Sequence, residues 1–110
     1  MLNKIIYNLK KYPEDDCYQI SNNIYKNKDL YKYVCNIHNY LIKNCKYQDK
    51  VVVYGHKEIY MIASFLACSI AGITYVPIDI SIPEERKNKI INQVQPQIII
   101  DKSIEGIMNN

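Results

Sequence analysis

Val51-Val-Val-Tyr-Gly55, the apolar run Ile59 to Ala71 and Thr74-Tyr-Val-Pro-Ile-Asp79 are the stretch that decides the fold. Two short β-branched runs bounded by Gly, Pro and Asp flank a longer apolar segment. That is the pattern of strands buried on both faces and joined by a crossover helix. A second helical segment and Ile98-Ile-Ile100 continue the alternation. The order strand, helix, strand, helix, strand predicts an α/β fold with a parallel β-α-β-α-β core over about residues 51–101.

Details of the core follow from single residues. Ala63, Ala67 and Ala71 form a small-residue stripe that lets the helix lie close to a sheet, with Ile62, Phe65, Leu66 and Ile70 filling its sides, so burial is expected to account for the whole segment. Gly72 supplies the left-handed position that ends the helix. Pro77 cannot donate to a ladder, so its strand is expected to stop there or to lie at a sheet edge. Ser81-Ile-Pro-Glu84 reads as a capping box, and Ile82, Arg86, Ile90, Ile91 and Val94 mark the inner face of the next helix before Pro96 ends it.

Working outward, residues 1–46 read as helix, hairpin, helix. Leu2, Ile5, Ile6, Leu9 and Tyr12 share one helical face, closed by Pro13. Cys17 to Ile20 and Ile24 to Lys26 flank Ser21-Asn22-Asn23, where Asn tolerates the positive φ of a tight turn. Leu30, Val34, Ile37 and Leu41 then set the stripe of a second helix over about 27–43, with Asn27 placed to cap it. Lys46 to Lys50 is a polar linker, and residues 102–110 carry little pattern and read as a truncated tail.

The 110 residues suffice for one domain and one core, and the 48% apolar content is that of a folded chain. A net charge of +3 is too weak to imply nucleic acid or an anionic membrane as partner. The interleaved Tyr and Lys of the first half reflect a bias in which Asn and Ile rise too, without an RNA-binding motif. Cys17, Cys35, Cys45 and Cys68 include no C-x-x-C pair, and neither His38 nor His56 completes zinc-ligand spacing, so four reduced thiols and a cytoplasmic location are expected. No apolar run reaches membrane-spanning length.

His38 lacks a partner at ligand spacing and reads as structural or solvent-facing. His56 falls just past the carboxyl end of a strand, the edge where open α/β sheets place ligands, although a turn or capping role is the stronger reading. Asp79 also leaves a strand end. In a receiver-like signalling module it would accept phosphate, but the earlier strand ends in Gly-His-Lys instead of the acidic pair such a site needs.

Ser69-Ile-Ala-Gly-Ile-Thr-Tyr-Val-Pro-Ile-Asp79 resembles the second core motif of adenylate-forming enzymes, L-K-A-G-x-A-Y-V-P-I-D. Val51-Val-Val-Tyr-Gly-His-Lys57, Tyr60 to Cys68 and Ser81-Ile-Pro-Glu-Glu-Arg86 are similar to the D-alanine:D-alanyl carrier protein ligase branch of that superfamily. The first core motif, L-T-Y-x-E-L, survives only as Tyr25-Lys-Asn-Lys-Asp29-Leu30.

The resemblance implies that residues 1–110 are part of the N-terminal adenylation domain of a ligase. That ligase uses ATP and Mg²⁺ to adenylate D-alanine and passes it to the phosphopantetheine thiol of a D-alanyl carrier protein for teichoic acid D-alanylation. Another amino-acid-activating synthetase or an acyl-CoA ligase is the alternative parent. Such chemistry needs a Gly/Ser/Thr-rich phosphate loop, a ribose-gripping carboxylate and a transition-state Lys. The family carries these C-terminal to its second motif. No catalytic, cofactor-binding or metal-binding residue is therefore assigned in this chain, which is expected to be inactive alone and to self-associate through uncovered apolar surface and a bare sheet edge.

Overall fold

The computed structural model describes residues 2–110. Helix α1 (Leu2–Lys11) leads to an antiparallel hairpin of β1 (Asp16–Ile20) and β2 (Asn23–Lys26), then to the long helix α2 (Asn27–Asn44). The α/β core runs β3 (Lys50–Gly55), α3 (Ile59–Ala71), β4 (Thr74–Asp79), α4 (Glu84–Val94) and β5 (Ile98–Ile100). A 3₁₀ turn (Lys102–Ile104) and the short helix α5 (Glu105–Met108) follow.

The three core strands form a parallel sheet in the order β4-β3-β5, with β3 central. Val51 to Val53, fully buried, are therefore paired on both sides, which is why they read as an uninterrupted β-branched run. Pro77 lies within β4, and the strand runs past it. The backbone explains why. Thr74 N–H donates to the Asp49 carbonyl (2.8 Å) and Ile80 N–H to the Gly55 carbonyl (3.0 Å), so alternate amides between them face β3 and position 77 faces away. On an edge strand the missing N–H removes no ladder bond.

Pleating splits the sheet into two faces. Val51, Val53 and Ile100 join one core with Leu30, Val34, Ile37 and Leu41 of α2 and Ile59, Tyr60, Ala63, Leu66 and Ala67 of α3. Val52 and Ile78 are buried on the opposite face, where Lys87 of α4 reaches over the Tyr54 ring. Leu9 of α1 and Ile104 and Met108 of the C-terminal turns complete the larger core.

Several local expectations are corrected. Helix α2 starts at Asn27, not after it: Asn27 donates from its side chain to the Tyr12 carbonyl (2.8 Å), and Asp29 accepts from Lys26 N–H (3.0 Å) at the helix entrance. The positive φ of the hairpin turn belongs to Ser21 (54°), not to an Asn. Ser81 and Glu84 form no capping box. Ser81 N–H instead donates to Asp79, Pro83 precedes the first turn, and Glu84 is the first helical residue.

On α4 the inward cation is Lys87, whose Nζ sits 3.9 Å from the centre of the Tyr54 ring, while Arg86 is exposed. The stripe on α1 is narrower than its spacing implied, because Ile5 and Tyr12 are exposed. Burial does not account for all of α3 either, since Phe65 is 49% and Ile70 41% exposed. The small residues of α3 serve mainly its approach to α2, the helix against which it packs most extensively. Residues 102–110 are no loose tail: Ile104 and Met108 are buried, and Asn36 Nδ2 donates to the Met108 carbonyl at 2.9 Å.

Candidate functional site

At the carboxyl ends of β3 and β4, chemically capable side chains from distant parts of the chain meet. The strand register pairs Gly55 with Asp79, so the residue after Gly55 falls beside the Asp79 side chain. His56 Nδ1 lies 2.8 Å from Asp79 Oδ2, and Ser81 N–H donates to Asp79 Oδ1 at 2.8 Å. Both carboxylate oxygens are thereby engaged. The His56 and Asp79 side chains are 51% and 42% exposed. The His56 hydrogen bond, then those from Ser81, hold the Asp79 carboxyl well below the usual carboxylate range.

Beneath this pair, Tyr60 fixes the end of β3. Its hydroxyl donates to the Tyr54 carbonyl (2.7 Å), one residue beyond the last β3–β5 pair, Val53 with Ile100. Burial pushes the Tyr60 phenol up to about 12, so it remains a donor at physiological pH. The approach is so close that a Cβ on Gly55 would overlap the Tyr60 hydroxyl. At the end of β5, Asp101 Oδ1 accepts from both the N–H (2.9 Å) and the hydroxyl (2.6 Å) of Ser103.

A crevice of about 650 Å³ opens beside the pair, between the hairpin and the sheet ends, and is lined by Ser21 and Tyr25, by His56 to Ile59 and by Lys102 and Glu105 among others. Its charged residues are of both signs, so it presents no concentrated field for a polyanion.

The residues singled out from the sequence divide clearly. His56 and Asp79, weighed separately there, are brought together, 23 positions apart in the chain. Strand register was the signal that could have joined them: two six-residue strands entering side by side place their ends side by side. His38 is half-buried on α2, remote in sequence from any acidic partner. Gly72 adopts φ 70° and closes α3, as its position implied. The neighbours of Asp79 are His56 and Ser81, not the carboxylates of a receiver-type phosphorylation site. Tyr60 heads a segment similar to the ligase branch but had no role assigned to it, and Lys87 lay in no motif, so neither contact was expected.

Among the described residues no three His, Cys, Asp or Glu side chains gather as a metal-ligand set. Both Asp79 oxygens and Asp101 Oδ1 are already engaged by His56, Ser81 and Ser103, so these atoms are not free to act as Mg²⁺ ligands in this arrangement.

The model of the AMP-binding enzyme family matches residues 7–109. The chain belongs to the AMP-binding enzymes. Within this AMP-binding family it is 51% identical over 53 residues to the D-alanine--D-alanyl carrier protein ligase of Staphylococcus haemolyticus, covering 48% of this chain and 11% of the relative. It is 45% identical over 53 residues to the ligase of the same name from Bacillus licheniformis, again 48% of this chain and 11% of the relative. The chain thus spans about a tenth of the length of these curated relatives.

Solved structures superpose over most of the chain. VinN in complex with L-aspartate matches with a TM-score of 0.80 at 15% identity, over 90% of this chain and 28% of that one. The N-terminal subdomain of Klebsiella oxytoca NpsA matches with a TM-score of 0.76 at 16% identity, over 92% of this chain and 27% of that one. These likenesses establish the shared fold. Among the described residues no helix is long and apolar enough to cross a membrane.

Proposed function

We propose that residues 1–110 are a partial N-terminal adenylation domain of a D-alanine:D-alanyl carrier protein ligase. They comprise a helix-hairpin-helix segment (1–46), the β-α-β-α-β core (51–101) and a short C-terminal segment (102–110). The observation that carries the reading is the 51% identity to a ligase of that name over about half the chain. The family signature at Gly72 to Asp79 and the Tyr54-Gly-His56 segment support it.

The parent enzyme would use ATP, with Mg²⁺ offsetting phosphate charge, to form D-alanyl adenylate, then transfer the D-alanyl group to the carrier's thiol in the cytoplasm, feeding teichoic acid D-alanylation. This segment supplies framework. Tyr60 and Lys87 brace the end of β3, and the His56–Asp79 pair ties the two crossovers together. Phosphate-binding and transition-state groups belong to other parts of the parent.

ATP–pyrophosphate exchange tests the proposal. The 110-residue chain is expected to show no exchange with D-alanine, and a longer polypeptide carrying this segment and a phosphate loop is expected to show it. Exchange by the short chain would overturn the framework role. Exchange by the long one with another amino acid, but not D-alanine, would overturn the substrate. Sedimentation should also reveal self-association, because Phe65, Ile70 and Ile99 leave apolar surface uncovered. A monomer at all concentrations would contradict that part.

A further inference from the structure

The geometry points to Asp79 as a positioning residue that fixes the tautomer of His56, a residue lining the sheet-end crevice, and leaves Nε2 as the only ring nitrogen whose protonation can change. The inference deepens the reading as an adenylation domain only in placing the crevice within such an enzyme, and its test needs no enzymatic activity.

An ionised carboxylate has lone pairs and no proton to give. Asp79 Oδ1 takes the Ser81 N–H at 2.8 Å, and Oδ2 faces His56 Nδ1 at 2.8 Å, a separation that requires a proton between them. That proton must sit on Nδ1, whether the imidazole is neutral or cationic. Only Nε2 can then change its protonation state, and in the neutral ring it is a bare acceptor.

Backbone bonds keep the arrangement from swinging away. Ile80 N–H donates to the Gly55 carbonyl at 3.0 Å, and Ile82 N–H to the Asp79 carbonyl at 3.2 Å, so both loops are held on either side of the pair. His56 and its successors Lys57, Glu58 and Ile59 line the crevice, with Ile80, Lys102 and Glu105 nearby. Glu58 and Glu105 offset Lys57 and Lys102 in its lining, so the crevice carries no concentrated charge of one sign.

Two-bond ¹H–¹⁵N correlation spectra of the uniformly labelled chain read the tautomer directly. His56, distinguished from His38 by a His38→Gln variant, is expected to show the Nδ1–H pattern when neutral. His38, which forms no ion pair with a carboxylate among the described residues, serves as the internal reference. In Asp79→Ala, with amide dispersion retained, the His56 pattern is expected to move to that of His38. A dominant Nε2–H pattern in the parent chain would overturn the assignment, even should Asp79→Ala fail to fold. An unchanged Nδ1–H pattern in a folded Asp79→Ala chain would overturn the role of Asp79.

Discussion

Replacing Gly55 with Ala tests how tightly the end of β3 is built. Gly55 does not have a positive φ, so its backbone accepts alanine and the effect of the substitution is steric. The added Cβ would overlap the Tyr60 hydroxyl and stand 2.8 Å from Tyr60 Cζ and 3.0 Å from Met61 Sδ. Tyr60 is only 1% exposed and cannot swing into solvent.

Forcing a methyl into such a site costs about 1–3 kcal/mol. Displacing the hydroxyl from the Tyr54 carbonyl adds about 1–3 kcal/mol for a buried acceptor left unpaired. The stiffer unfolded chain returns about 0.4–1 kcal/mol. The expected net loss is about 3 kcal/mol, a large share of the ~5–15 kcal/mol typical of a domain. Urea unfolding followed by circular dichroism should show a lower midpoint at unchanged slope.

A double-mutant cycle sharpens the test. In the Tyr60→Phe background the worst overlap is gone, so Gly55→Ala should cost less by about 1–2 kcal/mol. A Gly55→Ala chain within about 0.5 kcal/mol of the parent, the scale of an ordinary surface substitution, would refute the reasoning, as would simple additivity with Tyr60→Phe.

Three further outcomes are expected. Ser64 is fully buried on α3 and its hydroxyl has no hydrogen-bond partner among the described residues, so Ser64→Ala should be neutral or stabilise by up to about 1 kcal/mol, and a clear loss in thermal melts would contradict this. The lowered pKa of Asp79 contributes stability that is present above the unfolded value near pH ~4 and lost as pH falls through the folded one; Asp79→Asn should therefore flatten the acid limb of a stability–pH profile, and an unchanged limb would show that the His56 and Ser81 contacts do not form. Burial pushes the Cys68 thiol up to about 12, so iodoacetamide at neutral pH should spare Cys68 in the folded chain and label it after unfolding, as read by mass spectrometry of the peptides.

Much of the architecture could be read from local pattern. The stripe of Leu30, Val34, Ile37 and Leu41 is buried as its spacing required, because a helix long enough to span the core must turn one face to it. The β-branched runs at Val51 and Ile98 and the helix stop at Gly72 are likewise where they were expected. Misreadings arose where a local rule met a tertiary competitor. Ser81 could cap a helix only if its N–H were not drawn to Asp79, and Asp79 is available to it because β4 ends beside β3. Ile104 and Met108 carry little periodicity in so short a segment, yet α2 offers them a surface to bury against.

The sequence by itself determined the element order as far as β5, the parallel α/β class and the family motif at Gly72 to Asp79, since each rests on neighbours within a few residues or on turn chemistry. Only the tertiary structure decided that His56 meets Asp79, that Tyr60 closes the end of β3 and that Lys87 rather than Arg86 faces Tyr54. These contacts depend on strand register and helix rotation, which sum packing over the whole core, so no local window of residues contains them.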